Sequence, residues 1–188
     1  KQFNIKEKYV VTFVGRFEEL KDPLTFVEAV SYATRKLNNV KFVMVGDGHL
    51  KEDIKRKIKD LGLDNHLFLS GPTRDVDNFL AVSDAFIACS ATENCFSITI
   101  LEAMLSKVPC IITKAGMTEK FFAHKKDAYL VEKKNPKALS NAIVKLLGDL
   151  KLRNNLSENG ARFLERYGFR NKAIRQKIIE TLKTAIKT

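Results

Sequence analysis

Short runs of apolar, β-branched residues alternate along this chain with longer stretches in which apolar residues recur every three or four positions. Tyr9 to Val14 (YVVTFV) is the first run, closed by Gly15. Asp22-Pro23 then reads as a helix cap and first-turn proline, and Phe26, Val30, Ala33 and Leu37 form one helical stripe behind it. Val40 to Val45 is a second strand, broken by Gly46-Asp47-Gly48, and Leu50, Ile54, Ile58 and Leu61 mark one face of a charged helix. Leu67 to Ser70 is a third strand, closed by Gly71-Pro72, with a short helix over Val76 to Val82. Ala85 to Ala88 and Cys110 to Thr113 are strands flanking a helix over Ile98 to Leu105. Met117 to Phe122 reads as a short helix and Ala128 to Val131 as the last strand. Pro136 to Leu147, Lys151 to Arg166 and Asn171 to Ile186 are helical.

Six short apolar strands separated by helices predict a parallel sheet covered on both faces. The fold class is therefore α/β: a Rossmann-like, doubly wound parallel sheet of about six strands with a helical C-terminal tail. One domain is expected over residues 1–188, with 1–8 as a linker, 9–167 as the core and 168–188 as a C-terminal helix. No repeat or Pro/Gly-rich linker divides it. In such sheets ligands sit beyond the carboxyl ends of the strands, near the switch in strand order, so the loops after the strands are where chemistry is sought.

Composition narrows the function classes. A hydrophobic content of 45% is enough for a substantial core, and no apolar run approaches a membrane span. The three cysteines, Cys89, Cys95 and Cys110, lack metal-ligand spacing and read as buried thiols, which fits a reducing cytoplasm. The net charge of +11 comes from 24 lysines and only 9 arginines, scattered among acids. Base readout relies on Arg, Asn and Gln, so nucleic acid is not the expected partner. A solvated lysine-rich surface and attraction to an anionic membrane both remain open.

Four loops carry candidate chemistry. Gly15-Arg16-Phe17-Glu18-Glu19-Leu20-Lys21 places two cations before a helix start, an arrangement suited to a diphosphate. Pairing of those cations with Glu18 and Glu19 is the competing reading. Gly46-Asp47-Gly48-His49 permits a tight turn or the close approach of a ligand. It is not the GxGxxG fingerprint and does not follow the first strand, which argues against hydride transfer. Asp47 there either touches a ligand or caps the next helix. Ser90 to Met104 carries Ser, Thr, Glu and Asn into an apolar helix whose one acid, Glu102, wants a partner. Lys114 to Glu119 adds Gly116 and a further carboxylate at the same sheet edge.

In this order the loops resemble the retaining glycosyltransferases of family four (glycosyl transferases group 1), and the chain resembles their C-terminal lobe in the two-Rossmann GT-B arrangement. The matching pieces are VGRFEELKD at Val14 to Asp22, VGDGH at Val45 to His49, LFLSGP at Leu67 to Pro72, SDAFIACS at Ser83 to Ser90, LEAM at Leu101 to Met104 and VPCIIT at Val108 to Thr113. Each is weak alone; six in order make a strong signal.

The resemblance implies a donor nucleotide diphosphate sugar, UDP-, GDP- or ADP-linked, and no metal or other cofactor. It assigns Arg16 and Lys21 to the diphosphate and Glu102 to the ribose. Cys95, Phe96, Ser97 and Ile98 would face phosphate and sugar, and Gly71, Pro72 and Thr73 the base. Gly15 and Gly46 would border the donor. The family's E-x7-E motif is irregular here: eight places before Glu102 stands Asn94, and Glu93 needs one extra residue. Glu93 or Asn94, with Glu119, would orient the sugar. The resemblance also implies an N-terminal acceptor lobe outside these residues. The irregular motif keeps a second reading in play, a non-catalytic lobe that binds nucleotides or partners.

Overall fold

The computed structural model describes residues 7–91 and 97–167. Six strands form one parallel sheet: β1 (Tyr9–Val14), β2 (Val40–Val45), β3 (Leu67–Gly71), β4 (Ala85–Ala88), β5 (Cys110–Lys114) and β6 (Tyr129–Glu132). Their spatial order is β3-β2-β1-β4-β5-β6, so the order reverses between β1 and β4. The helices are α1 (Pro23–Thr34), α2 (Lys51–Asp60), α3 (Val76–Leu80), α4 (Ile98–Leu105), α5 (Thr118–Phe121), α6 (Pro136–Gly148) and α7 (Leu150–Arg166).

Strand residues alternate between two cores because successive side chains point to opposite faces. From β4, Ala85 and Ile87 join the core beneath α1, α2 and α6, whereas Phe86 and Ala88 join the one beneath α4 and α7. On the first face Phe13, Phe26 and Phe42 pack ring on ring, at 5.5 and 6.2 Å between centroids. Helix α7 serves both faces, with Leu156 in one core and Phe163 and Leu164 in the other. Both faces are covered, as the apolar strands require.

Several sequence readings shift in detail. Helix α3 ends at Leu80, and the chain turns there through bonds from Val82 N–H to Phe79 O and from Ser83 N–H to Leu80 O. The last strand runs Tyr129–Glu132, with Ala128 in an isolated bridge to His124. Asp22 stands at the α1 N-cap in the left-handed region (φ 43°), and its carboxylate accepts from Thr25 Oγ1 at 2.8 Å, not from a backbone N–H. An unforeseen 3-10 turn occupies Glu19–Lys21. The predicted helix Asn171 to Ile186 lies outside the described residues.

Candidate functional site

Two loops at the carboxyl ends of β1 and β2 are laced together by backbone. Gly15 N–H donates to Val45 O at 3.0 Å, Phe17 N–H to Asp47 O at 2.8 Å, and Leu50 N–H to Phe17 O at 3.0 Å. Gly46 N–H in turn reaches Gly71 O at the end of β3, at 3.1 Å. This approach is close enough to demand glycine: a Cβ on Gly46 (φ 148°) would lie 1.9 Å from Gly15 O, and one on Gly48 (φ 155°) 2.5 Å from Phe17 O. What crowds these glycines is the neighbouring loop. Phe17, 1% exposed, anchors the first loop in the core, while the next side chain back, Arg16, stays 62% exposed.

These strand ends border a shallow, open cavity of about 400 Å³, within the size range of small-ligand sites. Gly15, Arg16, Gly46, Pro72 and Thr73 line it, all named from the sequence. Val14, Val45, Val76 and Asp47 complete it. The valines were legible only as strand or helix residues, since nothing in their spacing marks an exposed end. Lys21 is not among the cavity's lining residues, but its stem lies beside Gly15: a Cβ there would stand 3.6 Å from Lys21 Cγ.

The charges are tethered but not buried. Arg16 Nη1 stands 3.2 Å from Glu18 Oε1, as the competing reading of this loop expected. An exposed pair of this kind is weak and readily exchanged for an anionic ligand. Glu19 pairs instead with His49 at 2.9 Å, a bond that holds its carboxyl below the usual value. Asp47 does not cap α2, whose N-cap is Leu50. Its carboxylate binds Lys51 Nζ at 3.0 Å and Gly48 N–H at 2.9 Å, and these bonds hold its pKa low.

Beyond the switch point the chain leaves β4 under tight control. Thr113 Oγ1 accepts from Ser90 N–H at 2.7 Å and donates to Ser90 O at 2.9 Å, tying the end of β4 to β5. Ala91 N–H reaches Leu20 O at 3.0 Å, which brings this loop against the Arg16–Lys21 loop. Ser97 is the α4 N-cap, and its hydroxyl meets Thr99 Oγ1 at 2.7 Å. Ile98 opens the helix. Glu102 is 4% exposed on α4, which packs against α3, α7, β4 and β5. Glu93, Asn94, Cys95 and Phe96 lie outside the described residues.

Glu119 is set apart from this cavity. It borders a second hollow with Lys114, Tyr129 and Glu132. Thr118, buried beneath the loop, accepts from Ala115 N–H at 2.9 Å and donates to Thr113 O at 3.2 Å. Lys114 bonds Glu132 and Glu119, and both carboxylates raise its pKa. Cys89 and Cys110 are buried, and desolvation pushes both thiols far up, so neither is a nucleophile at neutral pH. Among the described residues no three His, Cys, Asp or Glu side chains gather as a metal site. No described helix is long and apolar enough to cross a membrane.

The family model described as glycosyl transferases group 1 matches residues 1–163. The chain is 33% identical over 157 residues to the Escherichia coli UDP-Gal:alpha-D-GlcNAc-diphosphoundecaprenol alpha-1,3-galactosyltransferase, covering 82% of this chain and 40% of that protein. It is 28% identical over 159 residues to the Bacillus anthracis N-acetyl-alpha-D-glucosaminyl L-malate synthase, covering 84% and 41%. The chain thus spans about two-fifths of the length of these relatives. Among solved structures it matches the C-terminal domain of a glycosyl transferase group 1 family protein from Francisella tularensis, with a TM-score of 0.78, 27% identity and coverage of 86% and 87%. Anabaena HepE in complex with UDP-glucose superposes with a TM-score of 0.82 at 24% identity, over 97% of this chain and 50% of that one. At that identity the likeness speaks for the fold.

Proposed function

The chain belongs to the glycosyl transferases group 1 family, and from that premise we propose that it is the nucleotide-sugar-binding lobe of a retaining hexosyltransferase. The observation that carries the reading is the cavity of about 400 Å³ with Arg16 in its wall and the stem of Lys21 across Gly15. The base packs against Pro72 and Thr73, and Glu102 holds the ribose hydroxyls. Arg16 and Lys21 offset the charge that develops on the departing diphosphate, a role in which fixed cations act most strongly where water is excluded. Glu93 or Asn94, with Cys95, Phe96, Ser97 and Ile98, meets the sugar. Glu119 joins them only if the loop after β5 swings from its bonds to Lys114. The acceptor side belongs to a second, N-terminal lobe, so this chain alone turns over no donor.

UDP is the first nucleotide to test, ahead of GDP and ADP, because the Escherichia coli relative is named for UDP-Gal and the HepE structure holds UDP-glucose. Calorimetric titration of the chain with the three nucleotides, beside Arg16→Ala and Glu102→Gln, checks the assignment. A charge-assisted contact is worth roughly 1.5–3 kcal/mol, so Arg16→Ala should weaken binding about 10- to 100-fold. Unchanged binding in that variant would remove the diphosphate role. Binding without turnover by the two-lobed protein would favour the non-catalytic reading instead.

A further inference from the structure

The positive charge of this chain is unevenly placed. Between Lys114 and Lys137 stand seven lysines, at 114, 120, 125, 126, 133, 134 and 137, against three acids, Glu119, Asp127 and Glu132. The fold uses up those acids. Lys114 holds Glu119 at 3.3 Å and Glu132 at 2.8 Å, and Asp127, 2% exposed, binds Arg166 at 2.7 Å. The other six lysines are exposed, and among the described residues none of them makes an ion pair.

Topology gathers these six around β6, the edge strand of the sheet. Lys120 lies on α5. Lys125 and Lys126 stand in the turn after His124, which bridges to Ala128 just before β6. Lys133 and Lys134 follow the strand, and Lys137 begins α6. They lie outside the lining of the second hollow, of about 680 Å³; Lys133 Nζ reaches Ala91 O at 3.4 Å and Lys137 Nζ lies over the Tyr32 ring. The lining of that hollow carries Glu119 and Glu132 against Lys114, so the interior is no pocket for a phosphate. The surplus charge sits outside it, on the exposed segments before and after β6.

That arrangement suits a charged plane better than a single ion. Lysine supplies mobile point charges, whereas two-pronged recognition of one phosphate or one base edge calls for arginine, and the arginine beside these lysines, Arg166, is held by Asp127. Lys125 (φ 59°) and Lys134 (φ 51°) also occupy left-handed backbone that glycine adopts at less cost. The donor cavity lies at β1 to β3, and β6 stands three strand spacings from β1, roughly 14 Å. None of Lys125, Lys126, Lys134 and Lys137 lines that cavity.

We propose that the lysine-flanked β6 edge is a docking surface for an anionic lipid membrane, a role independent of donor binding. Each lysine near an anionic bilayer strengthens binding by roughly fivefold. The test is co-sedimentation of the 188-residue chain with phosphatidylcholine vesicles containing phosphatidylglycerol, and with phosphatidylcholine alone. One variant carries Lys125→Gln, Lys126→Gln, Lys134→Gln and Lys137→Gln. A second loses the same charge elsewhere, through Lys55→Gln, Lys59→Gln, Lys145→Gln and Lys151→Gln. The proposal expects salt-sensitive binding to the anionic vesicles only. It expects a loss of more than about a hundredfold in the first variant and under about tenfold in the second. Equal losses in the two variants, or none, would overturn it. So would a first variant that keeps its hold on vesicles but loses binding to single-stranded RNA, which would make the β6 edge a nucleic-acid surface. Circular dichroism of both variants separates lost docking from lost folding.

Discussion

At Gly46 the backbone φ is 148°, and a methyl group there would meet the carbonyl oxygen of Gly15 at 1.9 Å. That contact is with backbone, so no side chain can swing aside to relieve it. Gly46→Ala should destabilise the chain by about 3 kcal/mol or more, read as a lower urea midpoint, and should weaken nucleotide binding with it. Gly62→Ala makes a useful contrast: its added Cβ meets nothing within 4 Å, so only the strain at φ 64° is expected. The sequence marked Gly46 as a place for a tight turn or the close approach of a ligand, whereas what crowds it is backbone. It could not say that the approaching group is the β1 loop, because that contact joins strands paired only in the folded sheet.

Helix ends show how much of an element is written locally. Proline at the first turn was readable for α1 and α6. The α6 cap follows the expected chemistry, with Asn135 Oδ1 accepting from Ala138 N–H at 2.9 Å. Asn135→Ala should cost about 1 kcal/mol in chemical denaturation. Asp149 caps α7 in the same way, accepting from Leu152 N–H at 2.9 Å, and that bond, with Lys145, lowers its pKa. A carboxyl depressed in the fold stabilises it above the unfolded pKa, and that gain disappears as pH falls through the folded value. The stability gap between the native chain and Asp149→Ala should therefore be full at neutral pH and shrink below about pH 4. Asp22 and Asp47 are the counterexamples. Both looked like caps from their positions, yet each carboxylate prefers a side-chain partner, Thr25 or Lys51, presented by local geometry that periodicity does not encode.

On the scale of the whole molecule, nucleotide binding and stability are linked, because a ligand that binds only the folded state stabilises it by mass action. If UDP is the donor nucleotide, adding it at about 100 times its Kd should stabilise the chain by roughly 2.7 kcal/mol. For a chain of this size that raises Tm by about 5–10 °C, measurable by calorimetry. GDP and ADP at the same concentration should give smaller shifts, and a flat response to all three would count against the donor site. The alternation of apolar runs and helical stripes was enough to determine a parallel, doubly wound sheet, because burial on both faces leaves such strands no polar side. Motif order was enough for the family. The strand order, with its reversal between β1 and β4, came only with the tertiary structure, and so did the cavity at the ends of β1 to β3 and the place of the lysine-rich segment beside the edge strand β6. Hydrophobic periodicity reports which face of an element is buried, whereas a site forms from residues far apart in sequence, whose meeting is set by how the buried faces stack.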